Sequence, residues 1–438
     1  MSARQIHLAG FLIAGNCAHS HAIWRHPASD PGFLTAGYYQ EVARSLERGL
    51  FDLVFFADRL AMSSRYGGSI EVGARYGDQD ATRLDPIPVL ASMAAVTSRI
   101  GLGATRSTTY DQPYSLARSF ATLDHLSAGR AAWNVVTSVN QGEADNFGLT
   151  RHLGHDERYD AADEFLDLTF QLWDSWQPDA LVLDREEGIY ADPARVRPVD
   201  HKGRFFSCRG PLNIPRSPQG RPVIIQAGSS ARGQDFAARW AEIVFSIQPD
   251  EQGMRRFYLD LKGRAERQGR DPAAVKVLTA VMPFVGTSLA EAEEARAQHN
   301  ALVHPLVGLS TLSSHMNVDF SRLPLDAPVA DLKVEGMQGL FSVVRQLSGQ
   351  GLTLADVGRR YGESVLVPQL VGTPSSIADQ LQALFEAEAC DGFVITPAHL
   401  PHGFEPFVEQ VIPALQARGL FRQSYGGTTL REHLSPPS

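Results

Sequence analysis

Eight short apolar runs alternate with helix-like segments along the chain, and this alternation constrains the fold more than any other feature. Runs such as "DLVFFAD" (52–58) are continuously apolar, as expected for parallel strands covered on both faces. Stretches such as 35–51 instead carry apolar residues at helical spacing. The predicted strands lie at 6–14, 52–58, 100–105, 131–138, 222–228, 242–248, 275–286 and 392–397. The predicted helices lie at 35–51, 86–98, 113–126, 157–176, 231–240, 251–268, 288–302 and 404–418.

Eight strand–helix units in one chain predict an α/β fold, a (β/α)8 TIM barrel with insertions. The alternative is an open doubly wound sheet, which needs a glycine-rich phosphate turn after its first strand, and "AGNCAHSHAIW" (14–24) is not such a turn. We predict a single barrel domain over 1–438. Two stretches exceed normal barrel connections and predict insertions at about 177–221 and 303–371. The last residues, about 424–438, are expected to form a tail that packs on a partner subunit.

Charge and composition narrow the class of partner. The chain has 438 residues, a net charge of −9 and no basic run, which disfavours nucleic acid and anionic membranes as partners. Its apolar stretches are too short to span a bilayer, and the N-terminus lacks the layout of a secretory signal. The three cysteines are far apart and odd in number, which fits a reducing compartment. The sequence therefore predicts a cytoplasmic protein that acts on a small molecule.

Polar side chains cluster where the predicted strands end, which in a barrel of this type is where function lies. Asn134 is the most unusual of them, because it interrupts an apolar strand and a buried amide needs a hydrogen-bond partner. The candidates at strand ends are His19, His21, Asp58, Thr105, Arg106, Asn134, Thr137, Ser138, Gly228, Ser229 and Ser230.

Two segments are suited to binding an anion. "IIQAGSSARG" (224–233) places Gly228, Ser229 and Ser230 between a strand and a helix, where backbone N–H groups and hydroxyls can bind a phosphate. The alternative is a serine that only caps the helix. His155 and Tyr159 are four residues apart at the start of an earlier predicted helix, so they share one face. They either reach a phosphate or ribityl chain together or pack on each other.

The histidines do not predict a metal site. His19 and His21 have the spacing of a ligand pair, but no third ligand follows at convincing spacing. The chain also lacks an HExxH motif, a Walker A loop, a G-x-S-x-G elbow and paired CxxC motifs. These absences disfavour a zinc hydrolase, a phosphoryl-transfer enzyme and a serine hydrolase.

Taken together, the motifs resemble those of the bacterial-luciferase-like flavin monooxygenases. The closest resemblance is to the branch of nitrilotriacetate, pristinamycin and dibenzothiophene-sulfone monooxygenases, and within it to the sulfone enzymes. The resemblance covers nearly the whole chain. It rests on "FDLVFFAD" (51–58), "GLGATRSTTY" (101–110), "FATLDHLSAGRAAWNVVTS" (120–138), "HDERYDAADEF" (155–165) and "PVIIQAGSS" (222–230).

The resemblance implies a barrel that binds reduced FMN, supplied by a separate NAD(P)H:flavin oxidoreductase, and that uses O2. Relatives of this kind imply a homodimer or homotetramer. Asp58 and Thr105 are expected near the ring system, and the phosphate is expected at His155, Tyr159 and Ser229. Carried over residue by residue, the FMN contacts are Asp58, Thr105, His155, Tyr159 and Ser229, with Ser230 as a neighbouring candidate. The strand-end residues Asn134, Thr137, Ser138 and Gly228 complete the predicted cofactor-binding set.

The resemblance also implies the chemistry. A flavin peroxide would attack an electron-poor carbon, and for an aryl sulfone the C–S bond would break. Thr105 and Asn134 are expected to donate hydrogen bonds to the activated oxygen. His19 and His315 are expected near the substrate as proton donors or orienting groups. An apolar pocket is expected from Phe11, Phe55, Trp133 and Phe245, for which plain barrel core is the alternative.

Other functions stay open from the sequence. The same chemistry could act on an aminopolycarboxylate such as nitrilotriacetate, or on another aromatic compound. A deazaflavin-dependent dehydrogenase or a non-catalytic flavin-binding protein could use the same fold. Segment 60–86 departs in detail from the sulfone enzymes and borders the expected pocket, so it leaves the substrate undecided.

Overall fold

A closed parallel barrel forms the centre of the computed structural model, which describes residues 4–149, 153–328 and 351–434. Eight strands close the ring in the order β1, β2, β3, β4, β9, β10, β11 and β13, and β13 pairs back to β1. The predicted (β/α)8 barrel is confirmed, and its ring strands are the eight predicted ones. In chain order the strands are β1 (His7–Ile13), β2 (Leu53–Ala57), β3 (Gly101–Ser107), β4 (Ala131–Val136), β5 (Leu181–Asp184), β6 (Ile189–Ala191), β7 (His201–Lys202), β8 (Ser207–Cys208), β9 (Val223–Gln226), β10 (Ile243–Ser246), β11 (Lys276–Val285), β12 (Gln369–Gly372) and β13 (Gly392–Ile395).

Helices surround the ring, and side-chain caps fix where several of them begin. Asp85 accepts a hydrogen bond from the N–H of Ile87 at the start of α3, and Ser230 does the same for Gly233 at the start of α7. Among the described residues, no helix is both long and apolar enough to cross a bilayer. The α-helices are α1 (Ala36–Arg48), α2 (Glu71–Tyr76), α3 (Pro86–Ala94), α4 (Pro113–Leu126), α5 (Gln141–Asn146), α6 (His155–Trp173), α7 (Ala231–Trp240), α8 (Glu251–Arg267), α9 (Leu289–Ala301), α10 (Pro305–Met316), α11 (Leu354–Ser364), α12 (Pro374–Glu386), α13 (Ile412–Ala417) and α14 (Leu430–Leu434).

The long connections contain regular elements that periodicity did not reveal. Stretch 177–221 holds two small antiparallel hairpins, β5–β6 and β7–β8. Stretch 303–371 contributes α10, α11 and β12, and β12 extends the sheet by pairing with the C-terminal half of β11. Residues 329–350 of this stretch lie outside the described part of the chain.

Helices α10 and α11 pack unusually close together, and a glycine permits it. A Cβ atom on Gly308 would lie 1.8 Å from the carbonyl oxygen of Gly358, so no larger residue fits there without moving the backbone. Tyr361 of α11 is completely buried against α10. The close crossing places side chains of the two helices side by side above the barrel.

The described part of the C-terminal tail, 424–434, packs on the barrel of its own chain. Contact of the tail with a partner subunit stays a prediction. Arg431 makes an ion pair with Glu242, and the hydroxyl of Tyr425 donates to the carbonyl of Phe51. Leu430 is fully buried. Residues 435–438 of the predicted tail lie outside the described range.

Candidate active site

A cavity of about 700 Å³ lies at the C-terminal ends of the barrel strands. This volume is in the range of sites that hold a drug-sized ligand. Its apolar wall is formed by Phe11, Ile13, Phe55, Val136, Phe245, Phe257, Val365, Leu366 and Val394. Its polar wall is formed by His19, Asp58, Arg59, Gln79, Arg83, Thr105, Asn134, Ser229, Gln234, Gln248, Arg256, His315 and Tyr361. Strand ends and inserted segments therefore share one site.

Asn134 and Thr105 meet at the floor of this cavity, because β3 and β4 pair with these two residues in register. The Asn134 Nδ2 atom donates to Thr105 Oγ1 at 2.9 Å, and Thr105 donates in turn to the carbonyl of Phe56 at 2.9 Å. Since the Thr105 proton is already used, the expectation that both side chains donate to oxygen needs correction for Thr105. Asn134 Oδ1 is buried without a partner, and a second N–H remains on its amide.

The loop after β9 brings the predicted phosphate residues together with the start of α7 in one corner. Ser230 caps α7, while Ser229 lies on the cavity wall. The helix cap is therefore Ser230, and Ser229 stays the candidate for phosphate binding. His155 Nε2 lies 3.4 Å from the Ser230 hydroxyl, and the rings of His155 and Tyr159 are 5.3 Å apart. Gly228 leads into this corner between Gln226 and Ser229.

Gly233 keeps this corner open because it has no side chain. A Cβ on Gly233 would lie 2.7 Å from Tyr159 Oη and 3.1 Å from Ser230 Oγ. The corner thus combines hydroxyl and imidazole groups with the N-terminus of a ten-residue helix, a donor set that suits a phosphate. Together with the unpaired amide of Asn134 and the aromatic wall, these residues fit a flavin mononucleotide.

Asp58 directly follows β2 and lies on the cavity wall. Burial raises the pKa of its carboxyl group to about 6, although the positive charges of Arg83 and Arg106 act in the opposite direction. Its Oδ1 accepts from the N–H of Arg59. Near neutral pH the group is therefore close to its point of titration, as is common at functional sites.

His19 packs flat on Phe11, with ring centroids 3.9 Å apart. Burial lowers the pKa of His19 to about 3, and the neighbouring charges of His21 and Arg83 add to the effect. Its Nδ1 atom is buried without a partner. At neutral pH His19 is therefore uncharged, so it can orient a ligand but does not act as an imidazolium acid.

His315, the second predicted histidine, is held at both ring nitrogens. Its Nδ1 atom bonds the hydroxyl of Tyr361, and its Nε2 atom lies 2.9 Å from Nε2 of Gln79. Burial and the charge of Arg59 hold the pKa of His315 well below its ordinary value. Gln79 lies in segment 60–86 and Tyr361 in the predicted insertion 303–371, but neither residue was predicted to be part of the site. The Gly358–Gly362 spacing, typical of close helix contacts, was the available signal for α11.

Asp80 anchors this side of the cavity. Its carboxylate is completely buried and accepts from Arg59 Nη1 at 2.8 Å, Arg83 Nη2 at 2.8 Å and Ser63 Oγ at 2.6 Å. The two arginines hold its pKa far below the usual range despite burial. Arg59 also donates to Ser314 of α10, so the network ties segment 60–85 to the inserted helices.

Seven of the residues predicted to act in catalysis or to bind cofactor or substrate are not part of the cavity wall: Trp133, Thr137, Ser138, His155, Tyr159, Gly228 and Ser230. Trp133 points outward from the barrel between α4 and α6, packs on Trp173 and donates to the carbonyl of Arg106. The prediction that Trp133 lines the pocket is therefore wrong, because side chains alternate along a strand and Asn134 occupies the inner face. Thr137 is buried beyond the end of β4, and Ser138 bonds the hydroxyl of Ser107, so their contact with a cofactor stays a prediction.

The remaining histidines have structural partners. His21 bonds the Thr311 hydroxyl at 2.8 Å and lies 3.1 Å from the carbonyl of Gly362, which fastens the loop after β1 to the inserted helices. His26 stacks on His399. Across the described part of the chain, no three His, Cys, Asp or Glu side chains are grouped to hold a metal ion.

Comparison with known proteins gives consistent matches over this architecture. A family model described as luciferase-like monooxygenase matches residues 16–390. A dibenzothiophene-sulfone monooxygenase from Rhodococcus erythropolis (strain XP) is 52% identical over 439 residues, which cover 98% of this chain and 96% of the relative. The match therefore includes both insertions as well as the barrel.

Solved structures agree with the sequence relatives. The crystal structure of DmoA from Hyphomicrobium sulfonivorans has a TM-score of 0.93 at 34% identity and covers 99% of this chain and 93% of that one. A crystal structure of riboflavin lyase with modified FMN and the substrate riboflavin has a TM-score of 0.87 at 33% identity, with 98% and 95% coverage. The resemblance predicted from the motifs is confirmed.

Proposed function

The chain belongs to the luciferase-like monooxygenase family, and we propose that it uses reduced FMN and O2 to oxygenate an aromatic sulfone of the dibenzothiophene sulfone type, with cleavage of a C–S bond. The observation that carries this proposal is the joint cavity, in which the phosphate corner at Ser229, the amide of Asn134 and a wall of phenylalanines open onto one space. The 52% identity to a dibenzothiophene-sulfone monooxygenase supports the substrate class.

The chain's own residues bind and orient the cofactor. Reduced FMN, when bound, supplies the electrons that activate O2. His155, Tyr159, Ser229 and the start of α7 would hold its phosphate. The free N–H of Asn134 would donate to oxygen near the ring, because Thr105 occupies the other N–H and fixes the plane of the amide.

The wall of the cavity favours an aromatic substrate over a polycarboxylate. Phe55 packs edge-on against Phe245 with centroids 4.5 Å apart, and Phe11 lies beside Phe55. These rings exclude water and offer faces and edges to a flat ligand. Arg59 and Arg83 share the one carboxylate of Asp80, so together they keep a single net positive charge against the several carboxylates of an aminopolycarboxylate.

The proposal includes partners. We propose that a separate NAD(P)H:flavin oxidoreductase delivers reduced FMN, and the similarity to enzymes of two components supports this proposal. We also retain the proposal of a homodimer or homotetramer.

The activity test combines the purified protein with FMN, NADH, a flavin reductase and air. We expect oxygen-dependent loss of dibenzothiophene sulfone and formation of a hydroxyaryl sulfinate, measured by liquid chromatography with mass detection. Nitrilotriacetate is assayed in parallel. Turnover of nitrilotriacetate but of no aryl sulfone would overturn the sulfone proposal, and turnover of neither would favour a non-catalytic flavin-binding protein.

The cofactor is tested separately by titration. We expect FMN to bind more tightly than riboflavin, because only FMN engages the phosphate corner, and more tightly than a deazaflavin. The Gly233→Ala variant places a methyl group against Tyr159 and is expected to weaken FMN about tenfold while leaving riboflavin unchanged. Equal losses for both flavins would contradict the phosphate assignment, and a preference for the deazaflavin would favour a dehydrogenase.

A further inference from the structure

Three side chains from separate segments form a chain of hydrogen bonds beside the cavity. Gln79 precedes α3, His315 lies on α10 and Tyr361 on α11, and all three lie on the cavity wall. The imidazole of His315 stands in the middle, with Tyr361 at Nδ1 and the amide of Gln79 2.9 Å from Nε2. A neutral imidazole carries one proton, so the direction of the whole chain depends on which nitrogen holds it.

The burial of Tyr361 decides this direction. Its side chain is fully buried, and within the described residues its hydroxyl has a hydrogen-bond partner only in His315. If Nδ1 carried the proton, the hydroxyl proton of Tyr361 would be buried without an acceptor, which native proteins avoid. Tyr361 therefore donates to Nδ1, and the imidazole proton lies on Nε2.

The proton on Nε2 determines which end of Gln79 faces the histidine. The oxygen and nitrogen of a side-chain amide have almost the same shape, so the hydrogen bonds assign them. A protonated Nε2 requires the Gln79 oxygen opposite it. The amide NH2 group then faces away from His315, and Gln79, which is 5% exposed, uses its small open surface toward the cavity.

We propose that Gln79 is a substrate-contacting residue that donates a hydrogen bond to a sulfonyl oxygen, and that His315 and Tyr361 are positioning residues that orient its amide. This inference rests on the proposed function. A sulfone has two oxygens that only accept hydrogen bonds, so an aryl sulfone needs a donor beside the aromatic wall. Asp80 accepts from one nitrogen of Arg59 and one of Arg83 and holds both guanidinium groups in place beside Gln79.

The protonation states of His315 and Tyr361 keep the hydrogen bonds in this direction. Burial and the adjacent Arg59 charge hold the pKa of His315 well below its ordinary value, and burial raises that of Tyr361. The other charged groups facing the imidazole are Asp80, which favours its protonation, and Arg83, which opposes it. The histidine is therefore neutral and the tyrosine protonated in neutral solution.

Two ligands that differ only in the sulfonyl oxygens test the contact. Affinities for dibenzothiophene sulfone and for dibenzothiophene are measured on the full-length protein by fluorescence quenching. We expect the wild type to prefer the sulfone and Gln79→Leu to lose about tenfold in sulfone affinity with dibenzothiophene unchanged. Gln79→Glu keeps the bond to His315 but presents an anion to the sulfone, so it is expected to bind the sulfone more weakly still.

A glutamine outside the cavity provides the matched control. Gln40 donates to the carbonyl of Ser92 on the outer helices. Gln40→Leu therefore removes a hydrogen bond of a glutamine amide outside the site and is expected to keep the preference for the sulfone. Thermal unfolding of each variant identifies any loss of fold. If Gln79→Leu and Gln79→Glu keep the wild-type preference for the sulfone, the contact is overturned.

The orientation is tested without substrate. Spectra of protein labelled with ¹⁵N-histidine distinguish the two tautomers, and the His315 signals are assigned by their absence in His315→Gln. We expect the proton on Nε2 in the wild type and a mixture of tautomers in Tyr361→Phe. A proton on Nδ1 in the wild type would overturn the orienting role of Tyr361.

The outcomes separate this inference from the proposed function. Sulfone turnover in the wild type together with unaltered selectivity in the Gln79 variants removes the Gln79 contact and leaves the function intact. Failure of the wild type to bind or turn over any aryl sulfone removes both. Loss of preference in Gln79→Leu with normal flavin affinity supports both.

Discussion

The two sides of the cavity are built in different ways. On the barrel side, the register of the parallel ladder fixes Thr105 and Asn134 at the ends of β3 and β4, and Ser229 follows β9 in a short loop. On the opposite side, Gln79 and His315 come from segments between and above the barrel units, and side-chain contacts alone bring them together. The barrel side carries the groups that we assign to the flavin, and the inserted side those that we assign to the substrate.

This difference predicts different sensitivities. A ladder of backbone hydrogen bonds tolerates loss of one side chain, so changes on the barrel side should alter chemistry more than stability. The inserted side depends on a few buried polar contacts centred on Asp80, so changes there should alter stability and substrate selectivity together.

Asp80→Asn is expected to have the largest effect. It leaves Arg59 and Arg83 without their buried carboxylate, which costs about 3 kcal/mol in the free energy of unfolding. Denaturant unfolding measures the loss. Glu71→Gln breaks an exposed pair with Arg75 and serves as a control with an expected change below about 0.5 kcal/mol. Similar stability of both variants would contradict the anchoring role of Asp80.

Asn134→Ala is expected to lower kcat about 100-fold, because the lost amide is the free donor at the floor of the cavity. Single-turnover kinetics with reduced FMN measure the effect. The loss should be the same for any substrate that is turned over, unlike that of the Gln79 variants, which should depend on the sulfonyl group. Full activity of Asn134→Ala would refute the assignment of the oxygen site.

Trp133→Phe separates the two faces of β4. The variant loses the indole bond to Arg106 and part of the contact with Trp173, so we expect about 1 kcal/mol lower stability with unchanged kcat. Chemical denaturation and steady-state assays are compared on the same preparation. A larger fall in kcat than in stability would show that the outer face of the strand acts on the chemistry.

Asp58→Asn is expected to have the smallest effect, and one that depends on pH. Burial raises the pKa of Asp58 to about 6, so ionisation destabilises the folded protein; the cost is absent below about pH 4 and complete above about pH 6. The amide removes this cost. We expect a rise in Tm of about 2 °C at about pH 8 and none at about pH 4. Equal shifts at both pH values would contradict the burial effect.

Local patterns were sufficient for the barrel and for much of its site. Continuous apolar runs located the ring strands, and the rule that function lies at strand ends selected Asp58, Thr105, Asn134 and Ser229, which line the cavity. The prediction of an aromatic pocket failed for Trp133. Aromatic character alone does not tell which face of a strand a residue occupies, although the inner position of Asn134 next to it would have decided the question.

Local patterns did not predict the inserted helices. Helix α10, "PLVGLSTLSSHM", is apolar or small on nearly all sides, because it is buried between the barrel and α11, so it lacks the polar face by which a helix is recognised. The contact of Gln79 with His315 joins residues 236 positions apart and leaves no periodic trace. The same holds for the packing of the tail on its own barrel, since the partner of Arg431 is 189 residues away in Glu242.

The sequence by itself determined the barrel, the end of it that carries function, and the side chains offered to a flavin. Those features follow from backbone hydrogen bonding and from the alternation of side chains along strands, which act over a few residues. Only the tertiary structure decided which residues of the insertions line the cavity, that Trp133 points outward, and that His315 is held between Tyr361 and Gln79. These outcomes depend on burial and on hydrogen bonds between distant segments, which exist only once the chain has folded.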